Sequence, residues 1–120
     1  MTVGDVAIVL AVIVAAGVGA VLRFLLAERL NQDFPIGTLA ANLAASAALG
    51  VAVSAPDVVA TVLGIGALGS LSTWSTAANE AAAFSREDHG SLGIGYLALT
   101  VSSGILAAWI GLRLGIAIYT

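Results

Sequence analysis

The 120-residue chain has no cysteine, so it can form neither a disulfide frame nor a thiolate metal site. It has no lysine either. Its 4 basic residues are all arginine, too few and too scattered for a nucleic-acid surface, and the net charge is −3. Charged residues make up only 9% and aromatics 6%. Asp and Glu are missing from the middle of every apolar run, which argues against a proton-coupled exporter built on a membrane carboxylate. Its absence also weighs against the small multidrug exporters, which share this chain's size. No Ser-His-Asp set and no metal-ligand cluster can be assembled, so the chain does not read as an enzyme. The single histidine, His89, stands in a hydrophilic loop, where a lone imidazole is more often solvated than a ligand. What is left is apolar: 60% hydrophobic residues and a mean hydropathy of +1.08, the composition of an all-α membrane protein.

The apolar runs predict a single domain of four transmembrane helices over residues 6–27, 36–54, 58–84 and 92–118, a multi-pass chain with short loops. The first run is longer than a signal-peptide core and is preceded by Asp5 rather than by a basic residue, so it reads as a helix that stays. Arg23 lies about one turn before its end. One reading has its guanidinium snorkelling to the headgroups; the other has it facing a wet vestibule, where it would concentrate anions. Gly17 and Gly19 nearby allow close helix approach. In the second run Thr38, Asn42 and Ser46 recur every four residues and share one face. A carboxamide at Asn42 costs free energy in hydrocarbon unless it is paired, so it either bonds another helix or faces a polar path.

The third run is interrupted by Gly64 to Glu80, GIGALGSLSTWSTAANE, rich in glycines and hydroxyls where lipid-facing residues would be expected. Non-helical backbone survives at membrane depth only when buried in protein or lining a wet cavity. The stretch therefore predicts a broken helix around which the others pack. Beyond it, Thr73, Thr76 and Glu80 form one row and Ser72, Ser75 and Asn79 a second, a polar surface that fits a conduction path, a subunit seam or both. In the fourth run Tyr96, Thr100 and Ser103 form a third row, while Gly93, Gly104, Gly111 and Gly115 read first as a helix-packing face. Trp109 and Arg113 mark the far interface. The polar inventory at depth consists of donors: Arg23, Asn42, Tyr96 and hydroxyls. Donors without carboxylates suit a dehydrated anion, which needs hydrogen bonds in place of its water.

The segment Gly66-Ala-Leu-Gly69-Ser70-Leu-Ser72-Thr73-Trp74-Ser75-Thr76-Ala77-Ala-Asn-Glu80 resembles the G-x-x-G-G-x-T-T-F-S-T-F-S-x-E signature of the CrcB/Fluc fluoride channels. The glycine-rich first helix with Arg23 (GVGAVLRF), the F-P-x-G-T-x-x-x-N segment Phe34 to Asn42, the Tyr96, Thr100, Gly104 pattern and the closing AAWIGLRLG extend the resemblance over the whole chain. It implies an antiparallel dimer in the cell membrane with two narrow pores that let fluoride leave the cytoplasm passively. It also implies a structural sodium ion at the dimer interface, held by the backbone carbonyls of Gly69 and Ser72. The ion pathway that the resemblance assigns comprises Arg23, Asn42, Trp74, Thr76, Tyr96 and Thr100. Two positions depart from the pattern. Trp74 replaces the first pore phenylalanine and keeps an aromatic edge and an indole N–H; Ala77 replaces the second and supplies no ring. Ser70 and Ser72, for a Gly and a Thr, are milder changes. A homodimer with altered pores and a heterodimer with a paralogous chain, in which this subunit contributes half a pore or none, both fit the missing ring. Arg29 and Arg86 in the first and third loops against Arg113 on the other side lean toward a cytoplasmic location for those loops.

Overall fold

The computed structural model describes residues 1–64 and 74–120, apart from the side chains of residues 74–76 and 85. Among these, regular structure is helical: α1 Val3–Leu30, α2 Ile36–Ala52, a short α3 Asp57–Thr61, α4 Trp74–Arg86 and α5 Gly90–Tyr119. Past α3, residues 62–64 widen into a π-helical turn. The helix break expected around Gly69 lies outside the described residues. Two helices, α1 and α5, are long and apolar enough to cross a membrane, with mean hydropathies of 2.6 and 1.7 over their best windows. The 17-residue α2 is apolar but shorter.

Helix ends differ from the apolar runs where polar residues seal them. α1 begins three residues before the first apolar run because Thr2 and Asp5 form a reciprocal capping box: Thr2 Oγ1 accepts from the Asp5 N–H at 3.2 Å, and Asp5 Oδ2 accepts from the Thr2 N–H at 2.8 Å. Two orphan donors are satisfied within the first turn, so the helix does not have to wait for its first buried residue. At the other end, Asn31 caps α1 in an extended conformation, its N–H returning to the Ala27 carbonyl at 3.0 Å. Pro35 fixes the turn into α2. Between α4 and α5, Asp88 takes the left-handed conformation (φ 58°), and the His89 N–H closes the turn on the Phe84 carbonyl at 2.7 Å.

α2 packs most extensively on α5, with α4 and α1 laid against this pair. The seam is built of small residues. A Cβ on Gly111 would run into the Ala47 carbonyl, one on Gly50 into the Ala108 carbonyl, and one on Gly115 would come within 2.7 Å of the Val51 carbonyl oxygen. Gly104, Gly111 and Gly115 of the fourth run are thus turned to α2 of the same chain, as a helix-packing stripe is. Gly93 brings α5 equally close to α4, where a Cβ would stand 2.6 Å from the Ala81 carbonyl oxygen. Gly19 is buried, whereas Gly17 has nothing within 4 Å of an added Cβ. The buried side chains are small (Ala41, Ala45, Ala52, Ala77, Ala81), with Tyr96 the one large exception among the described residues. Large apolar residues point outward, among them Ile13, Val14 and Phe24 on α1 and Ile94 and Ile105 on α5. Such an inside-out distribution suits a solvent as apolar as Leu itself, where close backbone contact replaces the hydrophobic effect as the packing force.

Candidate functional site

Two polar regions lie along the α2–α5 pair. At the end carrying the 31–35 and 86–89 loops, four side chains from four segments converge. Asn31 Nδ2 donates to Thr38 Oγ1 at 3.0 Å, Thr38 Oγ1 donates to Glu80 Oε1 at 2.7 Å, and the Tyr96 hydroxyl donates to Glu80 Oε2 at 3.1 Å. Asn31 Oδ1 accepts from the N–H groups of Gly37 and Thr38 at 2.7 and 3.1 Å, closing the first turn of α2. Thr38 and Tyr96 are almost fully buried. The Tyr96 ring is fixed by Phe34, edge-on at 5.4 Å between centroids, and by Phe84 at 6.4 Å. A groove of about 360 Å³ opens over Glu80, lined also by Asn31, Gln32, Asp33, Pro35, Phe84 and Glu87. Its carboxylates give the mouth a negative character.

Further along the same pair a second groove, about 310 Å³, is lined by Asn42, Ser46, Thr100, Val101, Gly104, Ile105 and Ala108. Asn42 and Thr100 are both buried. The Thr100 hydroxyl donates to the Tyr96 carbonyl one turn back at 2.8 Å, which leaves its oxygen as acceptor toward the groove. Because Asn42 follows Thr38, and Thr100 follows Tyr96, by four residues, each helix carries one polar side chain in the first region and one in the second. The two regions therefore form one polar line between α2 and α5.

The structure thus brings together three of the side chains singled out in the sequence: Asn42 and Thr100 on one groove, and Tyr96 a turn away. The Tyr96 hydroxyl, however, is directed to Glu80 rather than to that groove. The donors-only inventory is corrected at this end of the line: Glu80, though not mid-span, brings a carboxylate that accepts hydrogen bonds from the Thr38 and Tyr96 hydroxyls. Arg23 is half-buried on α1 and is not among the residues lining either groove. Trp74 and Thr76 stand in the first turn of α4, but their side chains lie outside the described residues, as do Gly69 and Ser72 altogether. Ala77, which stands where the motif has a ring, is wholly buried against Ala81 and Tyr96, with Phe34, Leu39, Phe84 and Leu97 around the cluster. Among the described residues no three His, Asp or Glu side chains group in a way that could hold a metal ion.

Sequence reasoning missed Asn31, and it set Glu80 in a polar row with Thr73 and Thr76 without finding its partners. Asn31 reads as an ordinary turn residue before a proline, and its partners are 7 and 49 residues away. For Glu80 a signal existed: a carboxylate near the end of an apolar run requires partners, and Thr38 and Tyr96 were hydroxyls on other helices able to donate to it.

Residues 10–112 match the family model described as CrcB-like protein, Camphor Resistance (CrcB). The chain belongs to the CrcB family. It is 36% identical over 104 residues to a protein named fluoride-specific ion channel FluC 2 from Corynebacterium diphtheriae, covering 87% of this chain and 97% of that one. A FluC 1 from Leifsonia xyli is 35% identical, with 87% and 86% of the two chains covered. A FluC 1 from Symbiobacterium thermophilum is 38% identical, with 85% and 92% covered. Family membership and the two long apolar helices make this CrcB-family chain a membrane protein.

Proposed function

We propose that the chain is a subunit of a fluoride channel that lets fluoride leave the cytoplasm passively. The observation that carries this is the α2–α5 groove with buried Asn42 and Thr100, a polar lining on otherwise apolar helices, in a chain whose relatives are named fluoride-specific channels. A small anion loses much of its hydration in such a groove and requires N–H and O–H groups in its place; in this reading the Asn42 amide supplies one, and the Thr100 hydroxyl supplies another when its proton turns from the Tyr96 carbonyl to the groove. Hydrogen fluoride enters through lipid, dissociates in the neutral cytoplasm and is trapped; the inside-negative potential then drives the anion outward. In this reading Arg23 concentrates anions at the entrance, Trp74 and Thr76 line the path beside Asn42 and Thr100, and Tyr96 braces it. No energy-coupling group and no enzymatic step are required.

The proposal includes four membrane-crossing helices, the third interrupted, and a second subunit inserted in the opposite direction. Asn79, exposed on α4, supports a second subunit, because lipid does not solvate a carboxamide and a protein neighbour does. A sodium ion held by the carbonyls of Gly69 and Ser72 belongs to the same arrangement. A hard cation takes oxygen ligands, and carbonyls at an opened helix supply them without a carboxylate. When bound, the ion would pin the two subunits at the break. The placement of Arg29 and Arg86 on loops at one end of the bundle leans toward that end being cytoplasmic.

A second reading is favoured by Ala77. Its site is filled by the subunit's own core, so the ring found there in the family motif has no counterpart, and this chain would then be the weak or silent half of a heterodimer. Relatives numbered 1 and 2 fit such pairing. Fluoride efflux from liposomes, followed with a selective electrode, decides between the two. Efflux with the purified chain alone establishes a conducting homodimer. Silence alone but efflux on co-reconstitution with a paralogous chain establishes the heteromer. Silence in both overturns the channel proposal, and proton-coupled uptake of cationic dyes in its place would indicate a multidrug-type exporter.

A further inference from the structure

Asn31 caps α1, yet its side chain serves α2 and α4. Its Oδ1 accepts the Gly37 and Thr38 N–H groups at 2.7 and 3.1 Å, first-turn amides that have no acceptor within their own helix. A backbone N–H can only donate, so these two contacts decide which end of the carboxamide is oxygen. Nδ2 must then face Thr38 Oγ1 at 3.0 Å, with Glu80 Oε1 beyond at 3.5 Å. The remaining directions follow. The Thr38 oxygen is occupied as an acceptor, so its one proton goes to Glu80 Oε1 at 2.7 Å, and Tyr96 supplies the other carboxylate oxygen at 3.1 Å. The corner itself has no slack, because a Cβ on Gly37 would collide with the Leu26 carbonyl of α1.

We infer that Asn31 is a positioning residue: it sets the direction of the Thr38 hydroxyl proton and so keeps both oxygens of Glu80 as acceptors at the head of the polar line. Its oxygen does a structural job and its nitrogen orders the chain Asn31→Thr38→Glu80. The two jobs can be separated. In Asn31→Asp one carboxylate oxygen still caps α2, but the other cannot donate. The Thr38 proton then turns toward residue 31, and Glu80 loses a donor and gains a like-charged neighbour. Lowering the pH restores a donor at residue 31, since a protonated Asp carries an O–H.

The effect on conduction rests on the fluoride-channel reading above; the effect on Glu80 does not. In liposomes, Asn31→Asp is expected to lose about ten-fold or more of its fluoride flux at neutral pH, as removal of a hydrogen bond to a charged group does. Flux should recover toward mildly acidic pH after subtraction of the leak through protein-free vesicles. Gln32→Asp places the same charge on the same groove without touching Thr38 or Glu80, and should keep its flux and show no acid recovery. Infrared difference spectra between neutral and mildly acidic pH should show a carboxyl band appearing in Asn31→Asp as flux recovers, which wild type and Gln32→Asp lack. An equal loss in both Asp variants, absence of acid recovery, or absence of the carboxyl band overturns the inference. If wild type conducts nothing, alone or with a paralogous chain, the channel reading fails while the infrared band still decides the role of Asn31. Should Asn31→Asp fail to fold, Thr38→Ser and Thr38→Val carry the test in a conducting protein. Serine keeps the relay and the flux, valine loses both, and a valine variant that conducts like wild type refutes it.

Discussion

The α2–α5 seam and the Asn31–Thr38–Glu80–Tyr96 junction hold the same helices by opposite means. Along the seam, Gly50, Gly111 and Gly115 bring backbone against backbone, so the strength of that contact is a matter of shape. At the junction, one carboxylate is shared by hydroxyls from two helices, and its strength is a matter of polar satisfaction. A seam residue fails sterically when it is enlarged; a junction residue fails electrostatically when a partner is removed. The seam should therefore control whether the chain folds, and the junction how it behaves once folded.

The sharpest way to break that contrast is Gly111→Ala. The added methyl meets backbone of α2 that no rotamer change relieves, and a destabilisation of about 3 kcal/mol or more is expected. The thermal transition in detergent should collapse, and flux should fall with the amount of folded protein. Next comes Glu80→Leu, which leaves the buried Thr38 and Tyr96 hydroxyls without their acceptor at a cost of about 2 kcal/mol. The protein should still purify as a folded species, but its flux per folded channel should change, a split that Gly111→Ala cannot produce. Thr100→Val removes only a bond to the subunit's own backbone, so stability should move by about 1 kcal/mol or less. Because Thr100 lines the second groove, fluoride flux should drop by more than that change explains. The smallest effect is expected at Gly17→Ala on α1, where nothing lies within 4 Å of the new methyl. Helix propensity gains up to about 1 kcal/mol there, with flux unchanged. A large loss at Gly17 would mean that a partner covers that face.

These two regions were not equally legible in the sequence. The row Thr38–Asn42–Ser46 and the pair Tyr96–Thr100 follow from helical spacing alone, and each row stands on the α2–α5 face. The glycine stripe was also visible as a packing face, although spacing could not say that α2 was its partner. The junction was not visible, because it joins residues 16, 42 and 49 positions apart through side chains that periodicity treats separately. Ala77 shows the same limit from the other side. As a missing ring it reads as a gap, whereas in the fold its place is taken by Tyr96 and the phenylalanines around it. The start of the first helix lies three residues before the apolar run because a cap, rather than hydropathy, decides it, at Thr2 and Asp5.

The helices joined at the seam differ greatly in length. At 1.5 Å per residue, the 17 residues of α2 reach about 26 Å and the 30 of α5 about 45 Å. In the proposed arrangement, where both helices cross the bilayer, no single hydrocarbon thickness matches both, so the surrounding lipid would thin beside α2 while α5 leans. Acyl-chain length thereby becomes a mechanical input to the pair, and vesicles made from a graded series of lipids would apply that input without changing a residue.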